Sequence, residues 1–285
     1  MRVLIAGCGY VGMSLGVRLV EAGHEVVGVR RSTTGAGELS ALGIRPLAVD
    51  LSEAKQLDRL GGRFDWVVNT VASSRGGGVA DYERTYLAGT RNLLRWLAGQ
   101  GCARYVYTSS TGVYGQDDGG WVGESSELAP EAETARVLVA TEREVLRGGV
   151  GGVVLRLAGI YGPGRSYWLR MMERGEVRIP GDGTRWMNMV HRDDIVGAVM
   201  AVLERGREGE VYNVCDDEPV QYGDFVTWLA RRMGLPVPPY AVEESLVRRK
   251  RGLTNKRVSN RKLREELGWE PRYSSYREGY EQLLG

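Results

Sequence analysis

The sequence is poor in the residues that build metal centres and disulfide frameworks. Its three cysteines, Cys8, Cys102 and Cys215, are odd in number and scattered, which fits reduced thiols in a cytoplasm and not a stapled extracellular fold. Only two histidines occur, His24 and His191, and with no Cys/His cluster at zinc-ligand spacing no metal site is expected. No apolar run is long enough to cross a bilayer, and no secretory leader precedes the first apolar segment, which begins at residue 2. A net charge of +2 over 285 residues gives no reason to expect nucleic acid or a membrane as partner. Ser/His/Asp spacing, a nucleophile elbow and paired carboxylates are also missing, which argues against a hydrolase. There is no internal repeat and no low-complexity segment. What remains is a chain of ordinary composition, 42% hydrophobic and 26% charged, able to bury a large core and suited to a small-molecule substrate.

Its most informative segment is the first. Val3 to Ala6 are continuously apolar, as in a parallel strand buried on both faces, and the run breaks into Gly7-x-Gly9-x-x-Gly12. A helical pattern follows from Val11 to Glu21, then a turn at Ala22-Gly23 and a second strand from Glu25 to Val29. In that context the glycines predict a dinucleotide site. Gly7 permits the tight turn, Gly9 lets the backbone approach a pyrophosphate, and Gly12 lets the helix pack against the strand. Tyr10 and Val11 open the helix whose free amides would face the phosphates. The competing reading is a glycine-rich turn of no special function.

The residues after the second strand bear on which dinucleotide binds. An acidic residue there would hold the ribose 2′-hydroxyl of NAD. This chain has Arg30-Arg31-Ser32-Thr33-Thr34 instead, and guanidiniums with hydroxyls suit the 2′-phosphate of NADP(H). A solvated basic loop is the plainer alternative.

Further along, helical and strand patterns alternate. Helices are expected at Gly37–Leu42, Glu53–Leu60, Ala80–Leu97 and Glu131–Leu146, and strands at Arg45–Val49, Phe64–Asn69, Ala103–Thr108 and Gly152–Leu157. This is the pattern of βαβ units with right-handed crossovers. The fold class is therefore α/β, a doubly wound parallel sheet of the Rossmann type. Beyond about residue 160 the texture shifts to shorter elements punctuated by Gly162-Pro163-Gly164, Pro180 to Gly183 and Pro236 to Pro239, with helical patterns at Arg192–Leu203, Tyr222–Met233 and Arg261–Leu267. Residues 1–160 read as the dinucleotide-binding core. Residues 161–285 read as a smaller substrate-side lobe interleaved with the last strands. The basic stretches Arg248–Arg251 and Lys256-Arg257 are either a solvated loop or contacts to an acidic or phosphorylated substrate.

Several segments taken together resemble the extended short-chain dehydrogenase/reductases, specifically the sugar-nucleotide epimerase/dehydratase superfamily. They are Thr108 to Gly115 (TSSTGVYG), Arg156 to Arg165 (RLAGIYGPGR), Asn188 to Asp194 (NMVHRDD), Val211 to Val214 and Ser259 to Trp269. The likeness is collinear over nearly the whole chain. It implies that Asp50 and Leu51 contact the adenine, that Val71, Ala72 and Ser73 line the pyrophosphate and ribose, and that Ser110 occupies the catalytic Ser/Thr position. A homodimer through the helices at Ala80–Leu97 and Glu131–Leu146 is the family's usual assembly. Asp194 reads as a structural charge at a helix start.

One part of the pattern is absent. Family members that do redox chemistry carry Tyr-x-x-x-Lys on one helix face, the Tyr as proton donor or acceptor and the Lys lowering its pKa. Aligned through Glu142, the two positions here hold Thr134 and Leu138, and the stretch from Glu133 to Glu142 has neither Tyr nor Lys. The pattern resembles an atypical subgroup whose cofactor motif survives while the catalytic helix has drifted. Tyr114, Tyr161 and His191 are the candidates for a replacement acid, with Tyr114 expected beside the nicotinamide. Each has a bland alternative as a wall residue or structural hydrogen-bonder. Trp168, Trp186 and Tyr167 read as an aromatic lining or as core packing. Two functions follow: an NADP(H)-dependent oxidoreductase or epimerase-like enzyme on a carbonyl or sugar-nucleotide-type substrate, with Ser110 and Tyr114 at its centre, or a non-catalytic NADP(H)-binding sensor.

Overall fold

The structure, a computed structural model, describes residues 1–73, 77–241 and 254–285. Seven parallel strands form the central sheet: β1 (Arg2–Ala6), β2 (Glu25–Arg30), β3 (Arg45–Ala48), β4 (Trp66–Asn69), β5 (Arg104–Ser110), β6 (Gly152–Leu157) and β7 (Val211–Val214). They lie in the order 3-2-1-4-5-6-7. β1 pairs with β2 on one side and with β4 on the other. The chain reverses direction across the sheet at that point, which opens a crevice at the carboxyl ends of the strands. Val3 to Ala6, Val67 and Val68 are fully buried, as strands covered on both faces must be.

The helices are α1 (Tyr10–Glu21), α2 (Ala36–Ala41), α3, α4 (Glu133–Arg147), α5 (Tyr167–Glu173), α6 (Arg192–Arg205), α7 (Tyr222–Arg232), α8 (Arg261–Leu267) and α9 (Tyr276–Leu284). α3 is composite: α-helical over Val79–Tyr82, widened into π-turns over Glu83–Ala88, and α-helical again over Gly89–Ala98. The segment Ala54–Leu60, expected as an α-helix, is a 3-10 helix. It buries only Leu57 and Leu60, too little apolar face to hold full α-helical turns against the sheet.

Residues beyond 160 split between two tasks. β7 returns to the main sheet beside β6. α6 and α8 also pack into the main core, through residues such as Ile195, Val199, Leu263 and Leu267, while the remainder form a second core of Tyr161, Phe225, Leu229, Tyr276 and Tyr280. The sequence reading missed α5 and α9, whose apolar residues face this second core. The short strand pair Gly159–Tyr161 with Met189–His191 joins it to the main core, and a second pair, Trp121–Val122 with Arg257–Val258, packs its valines into the main core. The basic stretch Arg248–Arg251 and part of the glycine-rich loop after β4 lie outside the described residues. Among the described residues no helix is long and apolar enough to cross a membrane, and no cluster of metal-ligating side chains occurs.

Candidate functional site

A cleft of about 570 Å³ runs along the carboxyl ends of β1, β2, β4 and β5. Its floor is the loop between β1 and α1. Gly7 sits at φ +82°, and a Cβ there would lie 2.6 Å from the Val71 backbone, so only glycine fits both the turn and its neighbour. At Gly9 a Cβ would meet nothing nearer than the Gly7 carbonyl at 3.8 Å, so the space beside it is left open. Gly12 packs α1 down, its Cβ position lying 3.0 Å from Thr70 Oγ1 and Ile5 Cγ2. No side chain caps α1, and Tyr10 and Val11 line the cleft. Free amides at a helix N-terminus beside an uncrowded glycine fit a pyrophosphate.

At the adenosine end the two arginines behave differently. Arg30 folds back: its Nε donates to the Cys8 carbonyl at 2.7 Å, and its guanidinium pairs with Glu38 at 3.4 Å. Arg31 and Ser32 line the cleft, and Arg31 makes no ion pair with the described residues. Across from them Asp50 and Leu51 also line it, with Asp50 accepting from the Ser52 amide and hydroxyl. Val71 and Ala72 form the next wall. Ser73 lies just behind, its amide donating to Tyr86 Oη. The π-turns of α3 bring Arg84, Thr85 and Tyr86 to the cleft, and Arg165 arrives from the C-terminal lobe to stand over the Tyr10 ring. Sequence reasoning placed none of the four in the cleft: for Arg84, Thr85 and Tyr86 because a π-insertion changes which helix face points inward without altering the apolar pattern, and for Arg165 because only the packing of the C-terminal lobe brings it there.

The opposite end holds the predicted chemistry, and here the structure corrects the reading. Tyr114 is not a wall of the cleft. It is fully buried, its hydroxyl donating to Asn213 Oδ1 at 2.7 Å and accepting from Arg156 Nη1 at 2.9 Å. Burial pushes its phenol up to about 12 against the pull of Arg156. A phenol so committed is a structural strut, because a proton it gave up would leave an uncompensated buried charge. Arg156 also grips Glu142 through two nitrogens, the closest contact being 2.8 Å. This buried ion pair clamps α4 to β6.

Thr108 and Ser109 line the cleft together with Leu138, while Ser110 lies behind them. The two wall hydroxyls have already spent their protons, Ser109 on Glu142 and Thr108 on the Asn69 carbonyl. Ser110 Oγ instead accepts from the Gly112 amide, which leaves its own proton uncommitted among the described residues. Thr134 is buried on α4, and Leu138 presents hydrocarbon where the family pattern has an ammonium.

The remaining candidates are structural too. His191 is fully buried and caps α6 by accepting from the Asp193 amide at 3.2 Å. Burial lowers its pKa. Tyr161 stacks on Tyr280 with centroids 4.8 Å apart, and burial drives its pKa upward. Asp194 accepts the Arg272 and Tyr273 amides, and burial raises it to about 6. Trp168 packs on Tyr222 and Phe225, whereas Trp186 lines a separate groove.

A family model of the "NAD dependent epimerase/dehydratase family" matches residues 3–215. The chain belongs to the NAD-dependent epimerase/dehydratase family. Relatives within it include protein YeeZ of Escherichia coli K12, 29% identical over 95% of this chain and 96% of its own length. Another is 3-diazoavenalumate denitrifying reductase of a Streptomyces species, 30% identical over 98% and 99%. Among solved structures, a conserved protein of unknown function from Silicibacter pomeroyi superposes with a TM-score of 0.80 at 31% identity, covering 99% and 98% of the two chains. MoeE5, solved with UDP-glucose and NAD, superposes at 0.82 with 26% identity over 100% and 97%.

Proposed function

We propose that this family member is an NADP(H)-dependent oxidoreductase or epimerase-like enzyme acting on a carbonyl or sugar-nucleotide-type substrate through a nonstandard active site. The observation that carries the reading is the cleft itself: an uncrowded Gly9 at a helix terminus without a side-chain cap, with Arg31, which has no ion pair among the described residues, at its far end. Gly9, Tyr10 and Val11 would hold the pyrophosphate, Asp50 and Leu51 the adenine, and Arg31 with Ser32 the 2′-phosphate. A bound nicotinamide supplies hydride transfer. The chain's own part is to orient and to exclude water. Leu138 and the Leu157–Ile160 wall keep that end apolar, and Ser110, just behind the wall, keeps a hydroxyl proton uncommitted among the described residues. The relatives support this class of chemistry: one is named a reductase of a diazo compound, another a 2-alkyl-3-oxoalkanoate reductase from Stenotrophomonas maltophilia.

Equilibrium binding of NADPH and NADH, followed by NADPH oxidation over a panel of ketones and sugar nucleotides, tests the proposal. Tighter NADPH binding and substrate-dependent oxidation are expected. Equal affinity for the two cofactors would remove the NADP assignment, and binding without turnover would remove the enzyme. A second reading, a non-catalytic NADP(H) sensor, is favoured by the burial of Tyr114 and by Leu138 in the cleft wall. It requires NADP⁺ and NADPH to bind with different affinities, because equal binding shifts no equilibrium.

A further inference from the structure

The catalytic phenol of the family pattern is missing from α4, where Thr134 stands, and Tyr114 and Tyr161 are committed to the cores. Two other phenols line the cleft, Tyr10 and Tyr86. The Tyr10 hydroxyl lies against Gly162, outside the cleft wall, with Arg165 and Arg192 over its ring. Tyr86 is placed differently. Only 4% of it is exposed, its ring centroid is held 4.9 Å from that of Tyr82, and its Oη accepts from the Ser73 amide at 3.2 Å. Ser73 follows Ala72, a residue of the cleft wall, so the hydroxyl stands where β4 ends and the cleft begins. The Tyr114 proton goes to Asn213, whereas the Tyr86 proton finds no acceptor among the described residues.

Runs of π-turns are rare in helices, and they concentrate at functional sites. Here the run Glu83–Ala88 carries Tyr86 and packs against α4, the helix on which Thr134 and Leu138 replace the family's Tyr and Lys. Further along α3, Thr90 accepts from Asn69 Nδ2 at 3.1 Å, and the Asn69 carbonyl accepts from Thr108, a cleft residue. Tyr86 is thereby fixed at the carboxyl ends of β4 and β5, where open α/β sheets take their ligands. Thr108, Ser109 and Leu138 line the same cleft, but the two hydroxyls give their protons inward and Leu138 has none to give. Tyr86 is left as the phenol at this wall with a proton to transfer. The Ser73 N–H aimed at its Oη is also the donor a phenolate needs, since a backbone amide holds an oxyanion more strongly than a neutral oxygen.

We propose that Tyr86 is the proton donor of this site, replacing the phenol that α4 has lost. The proposal rests on the cleft being a nicotinamide-dependent site that reduces a carbonyl. In that direction the carbonyl carbon gains the hydride a bound nicotinamide supplies, and the C=O π pair moves onto oxygen. That oxygen takes the Tyr86 proton as the phenol O–H bond breaks. The phenolate left behind is held by the Ser73 amide and regains its proton from water.

The test installs 3,5-difluorotyrosine at position 86 alone in the full chain, which keeps the ring and makes its phenol more acidic. With any ketone or sugar nucleotide that the natural protein reduces, the alkaline fall of kcat is expected to move to lower pH, because the donor must be protonated to act. Tyr86→Phe should lower kcat about 10²–10⁴-fold while NADPH still binds. An unmoved pH profile, or turnover in Tyr86→Phe near that of the natural protein, overturns the proposal. A second readout needs no turnover. The fluorine-19 resonance of position 86 should shift on saturation with NADPH and take a different position with NADP⁺, whose nicotinamide ring is positively charged. A resonance that is the same in the free protein and in both complexes removes Tyr86 from the reacting centre, and this arm decides if no tested compound is reduced. Failure of NADPH to bind is seen separately by calorimetry of the natural protein; it sinks the cofactor reading, and the proposal falls with it.

Discussion

At the phosphate end of the cleft, Gly7, Gly9 and Gly12 each stand where the motif requires, and each has a steric or spatial reason to be glycine. At the other end of the cleft, Thr134 and Leu138 stand where the family pattern has Tyr and Lys, and the residues that keep the pattern are held in structural bonds. Tyr114 braces β7 through Asn213, Glu142 is locked to Arg156, and Leu138 offers only hydrocarbon. Binding a dinucleotide needs backbone shape, which a short motif encodes completely. Chemistry needs a proton at a particular place, which several distant residues must arrange together.

The strongest way to break this contrast is at the buried ion pair. Replacing Glu142 with Ala leaves Arg156 charged and unpaired, so a loss of about 3–5 kcal/mol in denaturant unfolding is expected. A loss near zero would mean that the pair does not brace α4 against β6. Lys256 offers a pH-dependent counterpart. Its folded pKa of about 8 lies below the ordinary value of 10.5, so the unfolded chain binds more protons between those values and stability rises with pH through that window. The penalty, about 3 kcal/mol at one pKa unit per 1.36 kcal/mol, is fully present below pH 8. Lys256→Met should flatten the rise, and parallel melting curves at pH 7 and 10 for both proteins would contradict it.

Smaller effects sharpen the comparison. Arg31→Ala is expected to weaken NADPH binding by about 1.5–3 kcal/mol, the range for a hydrogen bond to a charged group, and to leave NADH binding unaltered; equal losses for both cofactors would detach Arg31 from the 2′-phosphate. Tyr114→Phe strands Asn213 and Arg156, which is expected to cost about 1–3 kcal/mol of stability with little change in turnover per folded molecule. Were Tyr114 the proton donor, turnover would fall roughly 10²–10⁴-fold in a protein of normal stability. Gly9→Val has open space beside it and should shift stability by no more than about 0.5 kcal/mol while weakening dinucleotide binding more than tenfold.

Strands β1 to β6 were legible because each is a short run of strand-forming residues set between helical patterns, a signal carried by consecutive residues; β7, beyond the last of those units, was not read as a strand. α5, α9 and the π-turns of α3 were not legible, since their inward faces are defined by a partner surface many residues away. The same division holds for the site. By itself the sequence determined the parallel sheet, the glycine loop, the basic residues after β2 and the loss of Tyr-x-x-x-Lys, because local backbone sterics and residue identity suffice for each. Only the tertiary structure decided that Arg30 is spent on Cys8 and Glu38 while Arg31 is not, that Tyr114 is a strut, that Thr108 and Ser109 give their protons inward, and that Lys256 stands buried beside the Ser110 turn. Those outcomes depend on which distant groups compete for each donor and on how much water is left around each charge, and both are fixed only when the strands and the C-terminal lobe come together.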